Sequence, residues 1–235
     1  AIHFTNGSSF IADDLDNSPF GNTGPNNTVI FEDGANYYAF DGAGPFGKTQ
    51  PHSKAYFTEN SNYHHLNNAP PAFNGRAYGN YIFNHAGTCH VNMGSSTALP
   101  TKMHHLIIQQ GTLNITLVAN NQPLSFHLQG DLVINAGATL NCVPSHHNAH
   151  TTLSLNGTAP QQIIGKGTLQ MGNNSSLLIE NPSHVSLHKN LHLQGILGFN
   201  NNSCLILNNN NLQVDSSIQN TSASQFIITN ATHND

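Results

Sequence analysis

The 235-residue chain has no tryptophan and very little charge: Asp, Glu, Lys and Arg together make up 7% of it, where a globular domain carries about 25%. Its six basic residues, Lys48, Lys54, Arg76, Lys102, Lys166 and Lys189, are scattered, and the net charge is −5. Tracking a phosphate backbone needs clustered cations, so nucleic acid is not expected as a partner. No run of 18 apolar residues occurs, so no transmembrane segment is expected. The three cysteines, Cys89, Cys142 and Cys204, are odd in number and lack CxxC spacing, which excludes a disulfide framework and favours small buried hydrophobes. Helical patterning is missing too. There is no sustained i, i+3, i+4, i+7 run, and the abundant Asn, Thr, Gly and Ser are poor helix formers.

Asparagine fills the gap, at about one residue in seven. Disorder is the usual consequence of polar, low-hydrophobicity chains, but 37% hydrophobic residues in regular triplets argue for a packed core. Short β-branched or alternating runs, among them Thr28–Phe31, Ala55–Thr58, Leu106–Gln109, Leu124–Leu128, Ser176–Ile179 and Phe226–Thr229, are bounded by Gly, Asn, Pro or Asp. The chain reads as all-β.

The runs recur. Phe31, Phe57 and Phe83 are evenly spaced, and Tyr37 and Tyr63 share that spacing. Phe126-His127-Leu128-Gln129-Gly130 returns as Leu191-His192-Leu193-Gln194-Gly195. Apolar runs step by about 21–27 residues along the chain, the size of one solenoid coil and well short of a propeller blade at about 40–50. The spacing predicts a right-handed parallel β-helix over residues 27–235, preceded by a cap or lead-in at 1–26. All six tyrosines and nine of twelve phenylalanines precede residue 84, so the coils should be aromatic to about residue 103 and aliphatic after it. Asn173-Asn174, Asn200–Asn202 and Asn208–Asn211 fall where turns are expected, since Asn tolerates the left-handed conformation and its amides can ladder between coils.

Particular strings carry a resemblance. Thr28-Val29-Ile30-Phe31-Glu32-Asp33-Gly34-Ala35-Asn36-Tyr37, Pro71-Ala72-Phe73-Asn74-Gly75-Arg76-Ala77-Tyr78 and Leu153-Ser154-Leu155-Asn156-Gly157-Thr158, which leads to Gly167-Thr168-Leu169, are similar to repeat regions of large secreted surface proteins of Bacteroidota-type bacteria. The resemblance spans about residues 25–220. It implies type IX export, a secreted or cell-surface location and no catalytic residues to carry over. A C-terminal sorting domain is common in such proteins, and none is recognisable after Thr229; with a start at Ala1 lacking Met or a leader, the chain is expected to be a processed product or a fragment.

Sixteen histidines invite a metal reading. The pairs His64-His65 and His104-His105 would point to opposite faces of a strand. His146, His147 and His150 follow Pro144 in an expected loop where convergence is feasible, yet no accompanying ligand is evident. Hydrogen-bonding or solvated histidines are the expectation, with a role as titrating groups. Asp13, Asp14 and Asp16 offer oxygen ligands for Ca²⁺ without the Gly and terminal Glu of an EF-hand loop, so a solvated segment is expected. Asp131, Glu180 and Asp215 stand alone in the sequence, whereas a polysaccharide-degrading β-helix enzyme needs paired carboxylates. No catalytic, cofactor-binding or metal residue is therefore assigned and no cofactor is expected.

Two functions remain. One is a non-catalytic structural or adhesive module of a surface protein or extracellular filament, partnered by copies of itself or related subunits. Neutral Asn-rich faces suit such stacking, and the uncharged strand Phe226–Thr229 is expected to make the C-terminal end the adhesive one. The other is a carbohydrate-binding module reading surface glycans with Tyr37, Tyr38, Tyr56, Tyr63, Tyr78 and Tyr81, although their spacing favours a packing ladder. An enzyme is the least expected.

Overall fold

The computed structural model describes residues 1–13, 18–41, 44–91, 99–115, 124–144, 149–200 and 202–220, and the backbone of 226–228. These residues contain no helix, and their strands, three to twelve residues long, pair in parallel. They stack as a β-solenoid with three faces. The first face holds Ile2–Phe4, Val29–Phe31 and Ala55–Phe57, then, after a single bridge between Ala77 and Lys102, Thr101–Met103, Leu124–Leu128, Thr151–Leu155, Ser175–Ile179, Ile196–Phe199 and Ile218–Asn220. The second runs through ten strands, from Ser9–Ala12 and Asn36–Ala39 to Cys204–Ile206 and Phe226–Ile228. The third is built where the long strands Asn80–Val91 and Leu106–Ile115 turn a corner, and continues in Thr139–Asn141 and Thr168–Gln170. Gly111 makes that corner. Its φ is +68°, and a Cβ there would lie 2.0 Å from the His85 carbonyl oxygen, so no other residue fits without moving backbone.

Side chains alternate in and out, and the inward ones form columns along the axis. One column reads Phe4, Phe31, Phe57, with rings stacked at 4.6 Å at each step. Its neighbour on the second face reads Phe10, Tyr37, Tyr63, Tyr81 and then Leu106, Leu132, Ile163 and Leu187. Stacked aromatics contribute about 0.5–1.5 kcal/mol per pair beyond the area they bury. The change from aromatic to aliphatic composition thus occurs within one continuous column. Turns follow the expectation for asparagine: every described non-glycine residue with positive φ is Asn, at 27, 202, 208 and 209.

Coil length is less regular than the sequence suggests. The step from Asn36 to its partner Asn62 is 26, but that from Asn62 to Asn80 is 18 and that from Asp131 to Gln162 is 31. The short coil breaks the phenylalanine frame. Phe83 pairs with His65 on the second face, while Phe31 and Phe57 pair on the first. The long coil is filled at its corner by polar groups. Gln161 Oε1 accepts from the Gly157 N–H (2.8 Å) and Asn181 Nδ2 (2.9 Å), and its Nε2 donates to the carbonyls of Leu128 (3.0 Å) and Gly130. The His-Leu-Gln-Gly echo is local as well: Leu124–Leu128 belongs to the first face and Leu191–Leu193 to the third. The two units share a strand-then-turn form without sharing a register.

Residues 1–26 are not a separate cap. Their strands Ile2–Phe4 and Ser9–Ala12 pair in register with Val29–Phe31 and Asn36–Ala39 as a first coil, because Phe4, Phe10 and Ala12 supply the same inward positions as later coils. The covering role falls to the loop carrying Phe20, whose ring lies 6.4, 4.9 and 6.3 Å from Phe4, Phe10 and Phe31. A stack this continuous makes burial position-specific. Phe31→Ala, which interrupts a fully buried column, is expected to lower unfolding free energy by about 3–5 kcal/mol. Tyr56→Ala, on the outward side of the next strand and 42% exposed, should cost no more than about 0.5 kcal/mol. Denaturant titration followed by circular dichroism checks both values.

Candidate functional site

The outward side of the second face presents two rows of side chains running along the axis, set by the strand registers. The first row reads Ser9, Asn36, Asn62, Asn80, His105, Asp131, Gln162 and Ser186. The second, two residues further along each strand, reads Ile11, Tyr38, His64, Ile82, Ile107, Val133 and Ile164. Coils in a parallel stack sit about 4.8 Å apart, so neighbours within a row touch.

The polar row is hydrogen-bonded in two segments, Asn36 to Asn80 and His105 to Gln162. Asn62 Nδ2 donates to Asn36 Oδ1 (3.1 Å) and Asn80 Nδ2 to Asn62 Oδ1 (3.0 Å). The Asp131 N–H donates to His105 Nδ1 (2.7 Å), and the Gln162 N–H to Asp131 Oδ1 (2.8 Å). The asparagine amides of residues 36, 62 and 80 form a ladder on strands, whereas the turn asparagines were the ones expected to ladder. The second row is apolar but for His64, which stacks on Tyr38 with ring centroids 4.4 Å apart and donates from Nε2 to Asn36 Oδ1 (3.2 Å); partial burial holds its pKa below the usual histidine value. Ile11 is 60% exposed and Phe40, beside Tyr38, is 49% exposed. Asp131 is the only carboxylate in either row.

The structure separates the other candidates. Tyr37, Tyr63, Tyr78 and Tyr81 are buried in the aromatic columns, and burial raises their phenol pKa values. Tyr38 and Tyr56 alone of the six tyrosines face outward. Carboxylates that stand alone in the sequence have partners on adjacent coils. Asp215 Oδ2 lies 2.6 Å from His192 Nε2, Asp131 Oδ1 accepts from the Gln162 N–H (2.8 Å), and Glu180 accepts from Ser154 Oγ and from Asn200 Nδ2 (2.7 Å). His3 Nδ1 meets Glu32 at 2.8 Å and His104 Nδ1 meets Glu59 at 3.1 Å. His104 and His105 lie in the turn before a strand, with their rings edge to face at 4.2 Å. His64 and His65 point to opposite sides, as expected: His64 outward, His65 only 3% exposed. Asp14, Asp16, His146 and His147 lie outside the described residues; Asp13 and His150 are exposed. Among the described residues no three His, Cys, Asp or Glu side chains converge as a metal-holding group.

All three thiols are free, and burial raises each pKa, Cys89 to about 11 and Cys142 to about 12. Cys142 follows a strand of the third face and Cys204 starts one on the second. One groove, of about 500 Å³, opens on the third face, where Leu191–Leu193 pairs with Leu212–Val214 but not with Thr168–Gln170. Lys189 bridges its mouth by donating to the Gly167 carbonyl.

The two rows escape the sequence reading, and one signal for them was present: the residues alternating with the inward columns are polar in one row and largely aliphatic in the other. Comparison with protein families, with curated proteins and with solved structures finds no match to this chain.

Cross-coil hydrogen bonds to carboxylates make a portion of the stack acid-sensitive. Asp33 accepts from Asn60 Nδ2 (3.0 Å), Thr58 Oγ1 (2.6 Å) and the Asn60 N–H (3.2 Å) on the following coil, which hold its carboxyl below the usual aspartate value. Because folding lowers this pKa, its contribution is complete above the unfolded value of about 3.9 and is lost as pH falls through the lower folded value. Asp33→Ala is therefore expected to melt below the parent near neutrality, with the difference in Tm closing as pH drops below about 3.9. A gap that stays constant across thermal melts at stepped pH would contradict this.

Proposed function

We propose that the chain is a non-catalytic structural and adhesive module of a secreted surface protein or extracellular filament, with the two-row side of the second face as its adhering surface. The observation that carries the reading is the continuity of those rows. A polar row, hydrogen-bonded from Asn36 to Asn80 and again from His105 to Gln162, and an apolar row run side by side over seven coils with a single carboxylate between them. An uncharged strip of this kind has little like-charge repulsion to overcome and offers both contact area and hydrogen bonds to a similar strip. The resemblance of the repeats to those of secreted Bacteroidota-type surface proteins favours the same reading. End-on continuation belongs to it as well: among the described residues Phe226–Ile228 is the last strand of its sheet, paired to Cys204–Ile206, and a sheet edge templates a further strand. The side chains of Ile227 and Ile228 lie outside the described residues.

A second reading is favoured by one feature, the outward aromatic platform of Tyr38, Phe40 and His64, which offers a stacking surface for a sugar ring. A glycan array probed with the chain separates the two. Binding that disappears in Tyr38→Ala would favour the sugar reading.

The adhesive reading predicts that charge placed in the apolar row abolishes lateral association while leaving the fold intact. Ile107→Lys with Val133→Lys should return laterally associated material to single rods, and Ile227→Lys with Ile228→Pro should shorten them. Analytical ultracentrifugation and negative-stain imaging read both. A parent chain that remains monodisperse and non-adherent at high concentration would overturn the proposal.

A further inference from the structure

Among the described residues His65 is the one imidazole in the inward columns of the second face. In register it occupies the position taken by Ala12 and Ala39 on the coils before and by Phe83 and Ile108 on those after. It is 3% exposed, its ring lies 5.6 Å from Phe83, and its Nδ1 is buried with no hydrogen-bond partner. An imidazole left this way costs free energy that the alanine of earlier coils would not. Its Nε2 faces the sulfur of Cys89, fully buried, at 3.9 Å. Cys89 leads the third-face column that continues as Leu113, Leu140 and Leu169. The turn Leu66–Ala72 passes over this corner, and the thiol donates to the Ala69 carbonyl (3.1 Å) and approaches that of Asn68 (3.8 Å).

We propose that Cys89 and His65 form a two-donor site for one soft monovalent d¹⁰ cation, copper(I) by chemical class. Soft thiolate with imidazole is the donor set such ions select. The d¹⁰ ion Zn²⁺ makes thiolate and imidazole bonds of about 2.3 and 2.0 Å, and Cu(I), also d¹⁰, is taken to bond over a similar span. A sulfur–nitrogen separation of 3.9 Å therefore seats one ion at a wide angle between the two atoms, with little movement of either. Charge decides the valence. The ion replaces the thiol proton, Cys–SH + M⁺ giving Cys–S–M + H⁺, so the buried corner stays neutral, whereas a divalent ion would leave a net positive charge there, which is expensive to bury. The turn Leu66–Ala72, its residues half-buried or exposed apart from Pro71, is the entry path.

The test uses the full chain, reduced and anaerobic, titrated with Cu(I) in competition with a coloured Cu(I) chelator, and separately with Ag(I) in chloride-free buffer. One equivalent is expected to bind. Cys89→Ala and His65→Leu should each weaken binding by at least about 100-fold, whereas Cys142→Ala with Cys204→Ala should leave it unchanged. Zn(II) should raise the melting temperature far less than Ag(I). Should Cys89→Ala fail to fold, X-ray absorption of the Cu(I)-loaded parent reads the same question: one sulfur and one nitrogen at bonding distance support the site. Sulfur-only coordination, binding that survives loss of Cys89 or of His65, or tighter retention of Zn(II) than of Ag(I) overturns it.

Discussion

Everything in this molecule rests on one arrangement, the in-register parallel pairing of each coil with the next. A single coil encloses too little apolar volume to be stable, and its short strands would expose every backbone group on both edges. Stacking solves both problems together. Neighbouring coils satisfy each other's N–H and C=O groups, and the inward side chains become columns in which each ring or aliphatic group covers the one before it. The low charge of the chain follows. In a column or row spaced at about 4.8 Å, a charged residue repeated from coil to coil would meet its own kind. Several of the described carboxylates are held by donors from a neighbouring coil, as Asp33 is by Thr58 and Asn60.

The sequence made some of this legible and concealed the rest for identifiable reasons. Strands such as Val29–Phe31 and Leu106–Ile108 announce themselves because their inward and outward residues are both apolar. Asn36–Ala39 and Asn62–His65 do not, since their outward positions hold Asn, Tyr and His. Thr139–Asn141 and Thr168–Gln170 contribute one inward leucine each, too little for any pattern. A whole face of the solenoid was hidden in this way. So was the first coil, whose glycines, prolines and aspartates read as a cap although Phe4, Phe10 and Ala12 occupy ordinary inward positions.

Register was the larger obstacle. A fixed period requires equal coils, and here the return to Asn80 comes early while the return to Ile163 comes late. The stack keeps the strands aligned and lets the corners absorb the difference, by the Gln161–Asn181 network in the long coil and by the tight return to Asn80 in the short one. A constant frame therefore fits Phe31 and Phe57 and then slips at Phe83. Rows on the outer surface depend on register at every coil, so they were the last feature that the sequence could disclose. The asparagine ladder of residues 36, 62 and 80 shows the point, because its two steps are unequal and the amides nevertheless meet.

The direction of the hydrogen bonds has a mechanical side. The strands run across the long axis, so the bonds between coils run along it. Tension applied to the two end coils would load those bonds head-on, and they would break coil by coil. Strands pulled lengthwise share a load among many bonds at once; these would not. Each opened coil would release a length of slack chain many times the thickness of the layer it left. Held at its ends, the solenoid would behave as a compliant tether that yields stepwise at modest force and rewinds when the load falls, with the intact coils serving as the template for each returning strand.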